Sequence, residues 1–427
     1  MRKSTLTITT ILILALIGGA IYYFYFYNKT SGVTDATDIT QQPGFSPFGR
    51  GTVQDIPRTQ GTTTDTETPV VGSNTPIQLP KLRQLSTTPI AGMYASTTKI
   101  RVGLATTTEP ATIVRFVDRG TGHVYQANDI TANIEKISNT TLPKIYEAYW
   151  NKNLTATVLR YLKENSDSVT NFYAEIRPVA SSTASSTTPF EIKGKYLSPD
   201  IREIAISTTG DKVFTWNIEN DRGIGYISSF DEKNKTKIID TPITGVNIDW
   251  PESSTVTVTT KSSGVVAGYS YSVNTKTAEM SQLITGVRGL SVKMSGDAKS
   301  VLYSAGGNSV ATGLLNLKDR SVSKVIFNTL ADKCVWSNIR KNEIYCAVPT
   351  EIPDGIYPDD WYKGKVSFVD QIWHLDTTTG EVHLLANLLT LSNKLIDAEQ
   401  LILDPKENFL YFINKRDLTL WSLDLNQ

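Results

Sequence analysis

Histidine and cysteine are almost missing from this sequence, with three and two in 427 residues. His123, His374 and His383 are the whole histidine set. Zinc sites need three or four convergent ligands, and although His374 and His383 fall on neighbouring strands of one hairpin, no carboxylate or cysteine joins them at ligand spacing. No metal site and no cofactor are therefore assigned. Net charge is missing as well: 42 Lys+Arg balance 42 Asp+Glu, which leaves no basic excess to track a phosphate backbone. Nucleic acid is excluded as a partner on that ground. A Gly-x-Ser-x-Gly nucleophile elbow is also lacking, and no catalytic residue is assigned.

Charge is locally absent from Ser4 to Tyr27. This run is long enough to cross a hydrocarbon core of ~30 Å at ~1.5 Å per residue, and Tyr22 to Tyr27 suit an interfacial aromatic belt. Arg2 and Lys3 would also serve a cleaved signal peptide, but bulky aromatics stand where its small-residue cleavage site belongs. The expectation is a cytoplasmic tail (1–4), a transmembrane signal anchor (5–27) and an exported remainder, which makes a single-pass cell-membrane protein with its N-terminus inside. Residues 28–78 are rich in Thr, Ser, Pro and Gly, too poor in apolar side chains to offset the entropy of ordering, and read as a disordered stalk.

From residue 79 to residue 427 a pattern recurs: a β-rich strand, a polar turn, then a second apolar strand seven to nine residues after the first begins. Ile204 to Phe214, Leu290 to Tyr303 and Leu401 to Tyr411 carry it most clearly, with Gly, Asp, Asn or Pro supplying the turn conformations. A second hairpin follows each, as in Tyr269 to Ile284 and Ile372 to Leu385. First strands begin near 90, 144, 202, 246, 289, 334 and 398, a spacing that predicts an all-β, seven-bladed β-propeller. Ser181 to Thr188 reads as a long disordered tip between the third and fourth strands of blade two.

The chain stops after the third strand of blade seven, Leu418 to Leu423. An open edge would result unless a strand comes from elsewhere. Lys81 to Leu85 aligns with the fourth strands that lead into other blades, so N-to-C-terminal strand closure is expected.

The turns Ser207-Thr-Thr-Gly-Asp-Lys212 and Met294-Ser-Gly-Asp-Ala-Lys-Ser300 resemble the Ser-Pro-Asp-Gly-Lys turn of the TolB-type, WD40-like propeller repeat. The resemblance spans about residues 80 to 427. The whole arrangement also resembles membrane-anchored propellers of small-genome bacteria, and that likeness brings no chemistry to carry over.

Three sets of residues are candidates for more than packing. Cys334 and Cys346 lie in one hairpin, where an even-register turn would set them opposite each other, as a disulfide or as two buried thiols. The insertion from Val348 to Lys365, between the second and third strands of blade six, holds Tyr357, Asp359, Asp360, Trp361 and Tyr362. Its acids could ligate calcium and its aromatics could stack on a sugar or anchor a partner; the alternative is that the aromatics cover the adjacent blade. Arg115 and Arg160 occupy matching points of the second strands of blades one and two. They could face the channel and hold an anion, or pair with an acid of a neighbouring blade.

Six tryptophans in or beside the strands, Trp150, Trp216, Trp250, Trp336, Trp373 and Trp421, are expected to pack between blades. The function expected from all this is a non-catalytic scaffold for a protein or cell-envelope partner. The alternative is a glycan-binding or glycan-cleaving propeller, which would set two carboxylates about 5 to 9.5 Å apart around a cleft.

Overall fold

The computed structural model describes residues 79–101, 108–163, 168–179 and 189–427. The expected tail, anchor and stalk (1–78) and the tip from Ser181 to Thr188 lie outside the described residues. Among the described residues no helix is long and apolar enough to cross a membrane.

Seven four-stranded antiparallel sheets follow one another along the chain. Their innermost strands start at Ile90, Ile145, Ile201, Val246, Ser291, Cys334 and Ala398, within two residues of the predicted starts. Burial explains why these segments are strands. In blade seven the second and third strands, Phe409–Asn414 and Thr419–Asp424, are buried at nearly every position, as a sheet sandwiched between two others must be. The rim strands Ile134–Lys136 and Val322–Lys324 are exposed throughout.

The turn after the first strand is fixed by one polar side chain that accepts backbone N–H groups, the role expected of Ser, Asn and Asp there. Ser207 accepts from Lys212, Ser295 from Lys299 and Ser300, Ser337 from Arg340, Asn151 from Thr155 and Ala156, and Asp404 from Phe409. This is the structural content of the sequence repeat.

Each neighbouring pair of blades has its own apolar core, seven in all among the described residues. The six strand tryptophans pack in them as expected. Trp150 and Trp216 are fully buried, and Trp336 also donates its indole N–H to the Lys293 carbonyl of the preceding blade.

The ring closes by the predicted clasp. Leu82, Arg83 and Gln84 pair with Leu423, Ser422 and Trp421, making Leu82–Gln84 the outermost strand of blade seven. Leu85 then enters the core shared by blades seven and one, beside Ile90, Phe116 and Leu420. Thr112 of blade one adds a hydrogen bond to the buried Asp404 of blade seven.

Candidate functional site

The insertion in blade six is an ordered strap. In a ring of antiparallel blades, the connections from second to third strand and from fourth strand to the next first strand emerge on one face. The strap leaves blade six on that face and crosses over blades five and four. Tyr357 exchanges backbone hydrogen bonds with Gly307 of blade five, at 2.7 and 2.9 Å, and Asp359 accepts from Ser263 and from the Gly264 N–H of blade four. Glycines make the bed: a Cβ on Gly264, Gly289 or Gly306 would stand 2.4, 2.8 or 2.1 Å from the Tyr357 carbonyl oxygen. Asp360 accepts from the Ile356 N–H and pairs with Lys365 at 3.0 Å.

Beneath the strap lies a charged cluster with no exposed side-chain surface. Lys333, in the turn before blade six, contacts Asp370 at 2.8 Å and Asp397 at 2.5 Å, and donates to the Ala398 carbonyl. Asp397 is richly supplied, accepting also from the Trp361 indole, Ser367 and the Phe368 N–H. Asp370 accepts from the Ala398 N–H through Oδ2, while its Oδ1 is buried without a partner. Burial pushes the Asp370 carboxyl up to about 6. Burial opposes the charge on Lys333 too, but the two carboxylates outweigh it and raise its pKa above the ordinary lysine range. Desolvated charges persist only when paired and hydrogen-bonded.

The same face carries two hollows. One, of about 690 Å³, is the mouth of the central channel, lined among others by Tyr94, Glu147, Tyr149, Glu203, Asp332 and Tyr362. Its acids are engaged: Glu147 with Arg160, Glu203 with Lys261, and Asp332 with the Tyr362 hydroxyl. The other, of about 850 Å³, sits beside the clasp, lined by Leu85, Pro89, Phe116, Tyr125, Ile134 and Tyr146 among others. Ile134 and Tyr146 are 41% and 42% exposed. Arg119 lies over the Tyr146 ring, 4.7 Å from its centroid.

Several predicted residues hold places other than those a binding role would need. Trp361 is 3% and Tyr357 0% exposed; with Phe368, Val310 and Leu330 they form a small core under the strap. The exposed aromatic patch expected of a binding loop is thus not at Trp361, because its indole is drawn inward to Asp397. Asp359 spends its oxygens on the Ser263 hydroxyl and the Gly264 N–H, and Asp360 on the Ile356 N–H and Lys365; no group of three metal-competent side chains occurs among the described residues. Tyr362 alone of the five reaches the channel mouth, 40% exposed.

Arg115 and Arg160 tie blades together, though not through the acid pairing expected. Arg160 pairs with Glu147 of its own blade and donates to the Arg202 carbonyl of the next. Arg115 donates to Gln126 and to the Leu154 carbonyl of blade two and lies over the Phe190 ring; burial pushes its guanidinium down to about 10. Cys334 and Cys346 are directly opposed and disulfide-bonded. A carboxylate does reach the histidine pair: Glu343 bonds His374 at 2.9 Å, but Arg340 holds the same Glu343 oxygen.

The charged cluster and the apolar hollow were not foreseen. Asp370 opens one apolar strand and Asp397 immediately precedes another, places where an acid ordinarily signals only a turn. Phe116, Tyr125 and Tyr146 read as ordinary strand aromatics.

No protein-family model matches the sequence, and comparison with curated proteins finds no match. Solved structures are similar at the level of the fold. An oligogalacturonate lyase in complex with manganese is 10% identical, with a TM-score of 0.48 over 79% of this chain and 98% of its own. TolB from Acinetobacter baumannii is 10% identical, with a TM-score of 0.38 over 78% of this chain and 79% of its own. The tricorn protease is 10% identical, with a TM-score of 0.47 over 74% of this chain and 32% of its own. The seven four-stranded sheets themselves define a seven-bladed β-propeller.

Proposed function

We propose that this chain is a membrane-anchored, extracytoplasmic propeller that acts without catalysis as a scaffold, presenting its strap-bearing face to a protein or other cell-envelope partner. The observation that carries this reading is the apolar hollow beside the clasp. Phe116 and Tyr125 stack at its base, with ring centroids 5.5 Å apart, while Tyr146 and Ile134 stand exposed at its rim. Aromatic and branched side chains left accessible around a concave surface are what a partner's apolar anchor needs. The engaged acids of the channel mouth support the non-catalytic part, since a glycosidase needs one carboxyl free to give a proton and another free to attack or activate water. Leu79 and Pro80 enter blade seven at the opposite face of the ring, away from the hollow.

A second reading, a glycan-binding or glycan-cleaving propeller, draws on the channel mouth, where Tyr94, Tyr149 and Tyr362 stand among acids. One experiment separates the two. The protein is cross-linked in its native membrane and isolated, in parallel with the double variant Ile134→Ser, Tyr146→Ser, and both are applied to a glycan array. A partner held by the natural protein and lost by the variant supports the scaffold. Glycan binding with nothing co-isolated overturns it.

A further inference from the structure

We infer that Lys333 and Asp370 are joined by an intramolecular amide bond, formed when the folded chain condenses the Lys333 amine with the Asp370 carboxyl and releases one water. The site brings the reacting groups together out of contact with water. Nζ of Lys333 lies 2.8 Å from Asp370 Oδ2, which holds the amine beside the carboxyl carbon it attacks, and groups held together in this way react as if at very high concentration. Both side chains have no exposed surface, and Trp361 and Phe368 wall the amine, each ring centroid 5.1 Å from Nζ. In water, hydration of the ammonium and carboxylate holds an acid and an amine apart as ions. A dry, aromatic-walled site removes that hydration.

The atoms balance within the cluster. A proton passes from the Lys333 ammonium to Oδ1 of Asp370; the carboxylates that hold Lys333 charged oppose the transfer, and burial, which has pushed the Asp370 carboxyl up to about 6, favours it. The neutral amine attacks Cγ of Asp370, forming the C–N bond. Asp397, 2.5 Å from Nζ, takes the second amine proton and delivers it to the departing hydroxyl, as a positioned general base and then acid does. Water leaves with Oδ1, and Asp397 ends as it began.

Two features of the cluster choose Asp370 over Asp397 as the acceptor. Oδ1 of Asp370 is the oxygen with no partner, so its loss removes an unsatisfied buried polar atom, which is costly to keep. Oδ2 already accepts the Ala398 N–H at 2.6 Å and keeps that bond as the amide carbonyl. Asp397 has its oxygens filled by Trp361, Ser367 and Phe368, which hold it ionised for its proton-carrying role. The net charge of the cluster stays at one negative: the ion pair becomes a neutral amide, and Asp397 remains a buried carboxylate held by hydrogen bonds from Trp361, Ser367 and Phe368.

The test is mass spectrometry of the full-length protein after complete reduction of the Cys334–Cys346 bond. The expected result is an internal mass loss of one water, with a branched tryptic peptide in which Lys333 is uncut and linked to Asp370. Lys333→Met should restore the full mass, and Asp397→Asn, shown folded by circular dichroism, should keep the link from forming. Should the variants fail to fold, the peptide map of the natural chain decides alone. The inference is overturned by an unmodified Lys333 peptide cleaved after the lysine, by a branch at Asp397, or by a water loss that survives Lys333→Met. A fully linked Asp397→Asn protein overturns the role given to Asp397.

Discussion

Trp361 donates its indole N–H to the carboxylate of Asp397, 3.0 Å from one oxygen and 3.2 Å from the other. One residue belongs to the strap of blade six and the other to the root of blade seven. The contact therefore converts a surface insertion into part of the ring's buried framework, and it explains why the one aromatic most suited to an exposed anchor is not exposed.

Trp361→Phe should keep most of the packing and lose the donor, costing about 1–3 kcal/mol. Trp361→Ala adds a cavity and should cost about 3–5 kcal/mol. Denaturant unfolding would measure both, and tryptic cleavage at Lys363 and Lys365 should accelerate in the same order. Equal stability of the two variants would mean that the indole N–H contributes everything and the ring nothing.

Gly306→Ala should lift the strap, because its Cβ would stand 2.1 Å from the Tyr357 carbonyl oxygen. Overpacking of this kind costs about 1–3 kcal/mol or more. Gly245→Ala is the control, as its Cβ would meet nothing nearer than the Lys261 stem at 3.6 Å. A melting temperature lowered only by the first substitution is the expected outcome.

Leu85, 2% exposed in the core between blades seven and one, locks the clasp. Leu85→Ala should destabilise by about 2–5 kcal/mol, and deletion of residues 79–85 should strip blade seven of its outer strand and expose that edge to hydrogen exchange. Unaltered exchange at Thr419 to Asp424 after the deletion would count against closure by this strand.

The disulfide between Cys334 and Cys346 closes a loop of sequence separation 12, for which chain entropy predicts about 3 kcal/mol. The double variant Cys334→Ala, Cys346→Ala should unfold at correspondingly lower denaturant. Because the pair is buried in the core between blades five and six, some of that loss is packing, and comparing the variant with the reduced natural protein separates the two.

Glu252 sets part of the acid limit. Burial pushes its carboxyl up, but hydrogen bonds from Ser253 and Ser254 in the turn of blade four outweigh it and lower the pKa to about 2. A pKa depressed on folding stabilises the protein above the unfolded value and ceases to do so as pH falls through the folded one. Glu252→Gln should therefore be less stable than the natural chain at neutral pH, by no more than ~1 kcal/mol given its solvent contact. The difference should shrink between the ordinary glutamate range and about pH 2. A pH-independent difference would assign the effect to the side chain's shape instead.

Legibility in the sequence followed the range of the interactions. Ser207 and Ser295 bond to backbone four and five residues away, so their turns, and with them the register of each first hairpin, could be read directly. Cys334 and Cys346 could be placed face to face by counting around one hairpin, but whether they bond depends on local twist. Arg115 and Arg160 were visible as a repeated pair, whereas their partners at Leu154 and Arg202 are set by how closely adjacent blades approach.

The amino-acid order alone determined the strand repeat, the number of blades and the clasp, because hairpins and their turns are governed by residues close along the chain and Lys81 to Leu85 matches the fourth strands of other blades. Only the tertiary structure decided the fate of the strap and the cluster below it. Lys333, Asp370 and Asp397 span 64 residues between the first and last, Tyr357 docks on glycines of two other blades, and Trp361 turns inward to an acid that no local pattern marks. Such contacts join surfaces that meet only once the ring has closed, and their energies come from desolvation and fit, which have no period along the chain.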